Sequence, residues 1–412
     1  MPDKRSRLDL ASAPASSQIL IYRQEWCWVT QGIPAVGSLQ YDTNLTSIER
    51  DSSGHAWGAE LSFQRPGGPL PLLRETITPQ TSLTSVPMKF GLLLSFQYRR
   101  TDPLASRLEE TLELVEAASE LGFDSVFGVH HYLGDLVVPQ PLTLLARLIP
   151  VSGKMELGTG VFIGTLAHPV HIAEEVATLD QLSGGRVILG LGAGYRQHEF
   201  QSFGVNPGTA GRRLVESVEV IRALWSGRRV SYQGEFFQLE DQVIGVPPAR
   251  PKGPPIWVGA GVPATILRAA RIGDAWLAPP NAKPRYAIGN LESFRQEAAA
   301  HGRLQEIRSY PIVRETYVST SRDRAEEEAG RYIRDEYLDY SRYLEFFGAM
   351  FDDLRRKAFL WGSPDDIASG INQLATAGFD HFIFRMSWLG MPFSLTMKNL
   401  RLMAAEVLPR YR

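Results

Sequence analysis

Cysteine is nearly absent from this chain: Cys27 is the only one. No intrachain disulfide can form, and the usage fits a reducing, cytoplasmic setting. Long apolar runs are missing as well. No stretch reaches the ~18 residues needed to cross a bilayer. The basic opening MPDKRSRLDLASAPASS is not followed by the apolar core of a secretion signal. No membrane partner is expected. Neither sign of charge dominates: the net charge is −2, with no basic stripe for nucleic acid and no charged tail. Metal-binding spacings are lacking too. There is no HxxEH, no HExxH and no Cys–His cluster. A resident metal is therefore not expected, and a metal hydrolase is disfavoured.

What is present divides in two. Residues 1–87 are rich in Ser, Thr, Pro and Gly (SFQRPGGPLP, TITPQTSLTSVP) and sustain no period of 3.6 or 2. Such a stretch buries too little apolar surface to offset its ordering entropy. Either Met88 is the biological start or 1–87 is a poorly ordered N-terminal extension; the alternative is a small folded N-terminal domain helped by Trp26, Trp28 and Trp57. From 88 to 412 apolar strands alternate with helices. The strands are KFGLLL, DSVFGV, MELGTGV, RVILGLG, PPIWVGAG, DAWLAP, YPIVRETYVS and DHFIFRM. Continuous apolar strands separated by helices predict a parallel sheet covered on both faces. Eight such units favour a closed (β/α)8 barrel with insertions over an open sheet. A hairpin is expected in VSYQGEFFQLE. Two inserts, about 228–254 and 333–360, can cover the barrel mouth. The second is aromatic (Tyr337, Tyr340, Tyr343, Phe346, Phe347, Phe351), which suits an apolar substrate or, equally, packing on the barrel or on a second subunit.

In a (β/α)8 barrel ligands bind where the strands exit at their C-terminal ends. The second strand exits at His130 and His131, adjacent residues that point to opposite faces, so one of them faces the mouth. A neutral imidazole there can act as a general base or hold a proton. The third exit is Gly158, Thr159, Gly160, Val161. The fourth is Gly192, Ala193, Gly194, Tyr195, Arg196, where a phenol and a guanidinium suited to phosphate follow two glycines. The fifth runs Gly259, Ala260, Gly261, Val262, Pro263, Ala264, Thr265 straight into a helix. Backbone N–H groups at a helix N-terminus form an anion site, to which Thr265 can add a hydroxyl.

The order LGTGV, AHPVHIAEEVATLDQLSGGR, GLGAGYRQHEF, together with GFDSVF and WGSPDDIASGINQLATAGFDHFIFR, resembles the bacterial luciferase-like monooxygenases, flavin-dependent oxidoreductases built on a TIM barrel. The resemblance covers roughly 88–412. It implies a non-proline cis peptide at Gly160–Val161, pressed on one face of the flavin ring. It implies that Gly192, Gly194, Tyr195 and Arg196 contact the ribityl chain and phosphate, and that Gly259, Ala260, Gly261, Val262 and Thr265 hold the phosphate of FMN. The family histidine falls on His131 when counted from GFDSVF, and on His130 when counted back from Pro-Gln-Pro. His131 is the preferred acid–base candidate.

The implied activity is monooxygenation. Reduced FMN, supplied by a separate flavin reductase, and O2 would place one oxygen atom in a small, apolar organic substrate. A homodimer is implied as well. Luciferase's reactive cysteine is replaced by Gly192, so light emission is not expected. The alternatives are a deazaflavin-dependent oxidoreductase that transfers hydride, and a non-catalytic flavin-binding paralogue.

Overall fold

The computed structural model describes residues 42–50, 56–64, 88–343 and 346–412. The chain separates into two units, Met1–Thr81 and Ser82–Arg412. In the first, β1 (Asp42–Arg50) pairs antiparallel with β2 (Ala56–Gln64). The rest of the expected extension 1–87, apart from the unit boundary, lies outside the described residues.

The second unit begins with β3 (Lys89–Leu94), α1 (Leu104–Glu120), β4 (Ser125–Gly128), α2 (Pro141–Leu148), β5 (Glu156–Thr159) and the two-residue β6 (Phe162–Ile163). It continues with α3 (Pro169–Ser183), β7 (Val187–Gly192), the short α4 (Gln197–Ser202) and α5 (Ala210–Trp225). The hairpin β8 (Val230–Gln233) and β9 (Gln238–Gln242) follows, antiparallel as expected. Then come β10 (Ile256–Gly259), α6 (Pro263–Ile272), β11 (Ala275–Leu277), α7 (Pro284–Ala300) and β12 (Pro311–Val318). The last part is α8 (Arg322–Tyr340), α9 (Phe346–Lys357), β13 (Leu360–Gly362), α10 (Pro364–Thr376), β14 (His381–Arg385) and α11 (Phe393–Leu402).

The sheet runs β11-β10-β7-β5-β4-β3-β14-β12-β13, with every pairing parallel. A parallel bridge from Ala278 to Ile312 joins β11 to β12 and closes the eight-stranded ring. The fold is thus the (β/α)8 barrel that the strand spacing predicts. The sequence reading lacks two pieces. The three-residue β13 extends the sheet beside the end of β12, pairing Thr316–Val318 with Leu360–Gly362. The run RAEEEAGRYIRDEYLDYSRYLEFF, which the sequence predicts as one acidic–aromatic helix, is two: α8 ends at Tyr340 and α9 begins at Phe346.

Strand alternation builds two layers of core. Leu93, Phe127, Ile188, Trp257, Leu277, Val313 and Ile383 fill the barrel. Their neighbours Leu92, Val126, Leu157, Leu189, Val258, Ile312 and Phe382 face the helices. Helix starts follow ordinary capping chemistry. Ser363 and Asp366 form a reciprocal capping box on α10. α3 begins at His168-Pro169 and ends at Gly184, which takes φ 69°, a left-handed cap that glycine adopts without penalty. No described helix is long and apolar enough to cross a membrane.

Candidate active site

The second, third, fourth and fifth strand exits meet at one end of the barrel. The peptide Gly160–Val161 is cis. The side chain of Val161 lies between two glycines of neighbouring strands. A Cβ added at Gly192 would stand 2.6 Å from Val161 Cγ2, and one at Gly259 would stand 2.8 Å from Val161 Cγ1. Those two glycines therefore admit Val161 itself. Gly160 is small for a similar reason, since a Cβ there would come within 2.8 Å of Leu93 Cδ1. Gly194 adopts φ 80° and turns the chain out of β7.

At the fifth exit Val262 caps α6. The Thr265 hydroxyl donates to Val262 O (2.8 Å) and receives the Val262 N–H (3.3 Å). Gly261 has open space where a Cβ would stand. Neither the Gly261 nor the Ala264 N–H meets an acceptor among the described residues. The Ala260 carbonyl is fixed by Trp276 Nε1 (2.9 Å), and Gly261 O by the Tyr286 hydroxyl (3.2 Å). Beside this loop lies a cavity of 230 Å³ lined by Gly261, Lys283, Tyr286 and Met350 among others. Fixed carbonyls and free N–H groups make a cradle suited to an anion, while Lys283 on the cavity wall is already paired with Asp353.

The two histidines part company. His130 is 2% exposed and stacked on Phe162 at 4.3 Å. Its Nδ1 accepts the Ile163 N–H (3.1 Å), so its Nε2–H faces Gln140 Oε1 (2.9 Å). Burial pulls its pKa down to about 4. Both ring nitrogens are used inside the fold. His131 instead faces the fourth exit. Its Nδ1 lies 3.2 Å from Glu199 Oε1 and its Nε2 lies 3.4 Å from the Tyr195 hydroxyl. Burial lowers its pKa, against the opposing pull of Glu199.

Glu199 is the residue the sequence reading missed. It is 1% exposed, and the same oxygen that meets His131 accepts the Tyr132 N–H (2.8 Å). Burial alone would raise its pKa, but the His131 and Tyr132 hydrogen bonds and the Arg196 charge hold it below the ordinary value. Glu199 stands in QHEF, the opening of α4. Nothing in its local spacing links it to His131, 68 residues earlier.

Arg196 is 4% exposed, and its guanidinium lies 4.1 Å from the centre of the Tyr343 ring. That stack, and the ion pair of Arg342 with Asp135 (3.2 Å), bring the turn after α8 against the second and fourth exits. Tyr337 and Phe351 pack with Tyr317, Trp361 and Trp388 in a separate aromatic core, so these members of the aromatic insert serve packing. The side chains of Phe346 and Phe347 lie outside the described residues. Behind the turn, Arg385 pairs with both Glu315 and Glu336. Tyr340 hydroxyl, 2.7 Å from Arg385 Nη1, and Trp388 Nε1, 2.8 Å from Glu315 Oε2, complete this buried network.

Comparison with known proteins agrees with this geometry. The family model for luciferase-like monooxygenases matches residues 88–381. The oxygenase component of a flavin-dependent trigonelline monooxygenase from Acinetobacter baylyi is 24% identical over 79% of this chain and 96% of its own length. An F420-dependent glucose-6-phosphate dehydrogenase from Nakamurella multipartita is 29% identical over 80% of this chain and 98% of its own. The crystal structure of monooxygenase RslO1 from Streptomyces bottropensis superposes with a TM-score of 0.70 at 27% identity, covering 79% of this chain and all of that one. Barrel, cis peptide and family model converge: this chain belongs to the luciferase-like monooxygenase family.

Proposed function

We propose that the protein is a flavin-dependent monooxygenase that uses reduced FMN and O2 to place one oxygen atom in a small, largely apolar substrate. The observation that carries this reading is the seat of Val161. Val161, held between Gly192 and Gly259, offers an apolar face at the barrel mouth, two strand exits from an anion cradle. The isoalloxazine would rest on Gly160–Val161, and the phosphate on the N–H groups of Gly261 and Ala264; the Thr265 hydroxyl serves the helix cap and Lys283 is held by Asp353. FMN, once bound and reduced, supplies the electrons and the oxygen chemistry. The protein's own residues orient it, exclude water and manage protons. Tyr195 and His131 stand where they can hold a proton at the mouth. Arg196 is covered by Tyr343, which favours the fifth exit as the phosphate site in this reading.

The name of the trigonelline enzyme as an oxygenase component supports a separate flavin reductase as electron donor. A cytoplasmic homodimer remains part of this reading. The F420-dependent relative supports one second reading, hydride transfer from a deazaflavin. Anaerobic titration with reduced FMN and with reduced deazaflavin F420, followed by mixing with oxygen, separates the two. Tight reduced-FMN binding with oxygen consumption coupled to substrate is the expected result. Selective deazaflavin binding without oxygen uptake overturns it, and flavin binding without any turnover points to the non-catalytic paralogue.

A further inference from the structure

His131 is enclosed, yet it is not isolated. One ring nitrogen faces Glu199 and the other faces the Tyr195 hydroxyl. Glu199 is itself buried and cannot reach a ligand. Of the three side chains, Tyr195 alone is substantially open: it is 43% exposed. Its ring meets the His131 imidazole edge-on, 5.6 Å between centres and 89° between planes. The three groups thus form a line from a buried carboxylate, through an imidazole, to a phenol whose residue is partly exposed and whose hydroxyl also meets Arg196.

We propose that Tyr195, backed by His131 and Glu199, takes a proton from an ionisable O–H of the substrate, so that the substrate class is phenolic or enolic. This rests on the reading of the mouth as the substrate site. The substrate O–H bond breaks and its proton passes to the Tyr195 oxygen. The Tyr195 O–H bond breaks in turn, and that proton joins His131 Nε2. The substrate is left as an oxyanion, and His131 becomes an imidazolium beside the Glu199 carboxylate. No electrons change hands.

The resting tautomer is the one this direction needs. Glu199 accepts hydrogen bonds through the oxygen that His131 Nδ1 faces, so Nδ1 carries the proton and Nε2 keeps its lone pair. Burial keeps the imidazole neutral and the hydrogen bonds keep Glu199 ionised. Other charged or titratable groups bear on the line. Arg196 and His198 act on His131 from the fourth exit and α4. His131 in turn bears on His130, its neighbour on the second exit. Burial raises the Tyr195 pKa, opposed by the Arg196 charge and hydrogen bond and by Arg385 of β14, and Tyr195 couples to Tyr340 of α8. Glu199 is a positioning residue, because it works only through His131.

The test uses 4-nitrophenol, whose neutral and ionised forms differ in colour, bound to the full chain with and without FMN. About one pH unit below the probe's own ionisation, the wild type is expected to raise the phenolate-to-phenol ratio about tenfold, one unit of pKa. Tyr195→Phe and His131→Gln should still bind the probe but return it to the neutral form. Glu199→Gln should weaken the effect. Tyr195 is surface-exposed, so Tyr195→Phe should melt at the wild-type temperature even if the Glu199 variant is unstable. A probe that fails to bind, that stays neutral on the wild type, or that remains ionised on Tyr195→Phe overturns the relay. FMN binding, followed in parallel by flavin fluorescence, reports separately on the monooxygenase reading. FMN binding with an ionisation independent of Tyr195 sinks the relay alone.

Discussion

At the scale of single residues, the barrel mouth is shaped by atoms that are missing. Gly192 has a precise steric duty: its absent Cβ leaves room for Val161. Gly192→Ala is therefore expected to push Val161 and its peptide out of place. Overpacking of this kind destabilises by about 1–3 kcal/mol. The sharper readout is flavin binding: a FMN titration should weaken at least tenfold while circular dichroism keeps the barrel signature. Unchanged FMN affinity would mean that the Val161 face is not the flavin platform. The glycines at strand exits are legible in the sequence itself, whereas the cis bond Gly160–Val161 is implied only by the family resemblance. What several of those glycines accommodate is not legible, because the occupant comes from a neighbouring strand and pairing is invisible in a linear pattern. His131 and Glu199 illustrate the same limit. A histidine at a strand exit announces itself by position, whereas its carboxylate partner is brought in by the turn that opens α4.

At the scale of elements, apolar runs located eight barrel strands and the hairpin, since buried parallel strands have no polar face to disguise them. β13 escaped because three residues, Leu360–Gly362, are too few to show a period. The break between α8 and α9 escaped because aromatic residues continue across it. The more consequential element is α8, whose end is fastened by charge. Arg385 of β14 holds Glu315 of β12 and Glu336 of α8, and both carboxylates have no exposed side-chain surface. Leu389 N–H also donates to Glu336 Oε2 at 2.9 Å. Arg385→Met would leave two buried carboxylates facing each other without their cation. Losing one partner of a buried ion pair costs about 3–5 kcal/mol. Urea denaturation should show a loss of that order, and Glu336→Gln in the same chain should restore part of it, because the two sites are coupled. An additive double mutant would show that the network does not hold the helix end.

At the scale of the whole molecule, acid should be the principal threat. His130, His131 and His381 are buried and their pKa values are lowered, to about 4 for His130 and about 3 for His381, mainly by desolvation. The folded state keeps these rings neutral, whereas the unfolded chain protonates them below an ordinary value of 6.5. Their contribution is full above pH 6.5 and is lost as pH falls toward about 4. Glu199, also lowered, adds a loss of the same sign further into acid. Glu336, whose pKa is raised by burial, works the other way and is relieved by protonation. Thermal melts should therefore decline steadily from pH 7 to about pH 4.5. A flat profile would mean that the three imidazoles are solvated in the folded state.

The ring of eight strands is fastened unequally. Seven of its joins are ladders, but between β11 and β12 the circle is completed by Ala278 alone, which donates to Pro311 O at 3.2 Å and receives the Val313 N–H at 2.9 Å. The barrel is in this sense a belt with one small buckle. Just beyond the buckle, Pro279 and Ala282 line the cavity beside Gly261. The join with the fewest hydrogen bonds in the ring thus lies beside the cavity proposed for a phosphate, so a ligand seated there would bear directly on the clasp that keeps the barrel round.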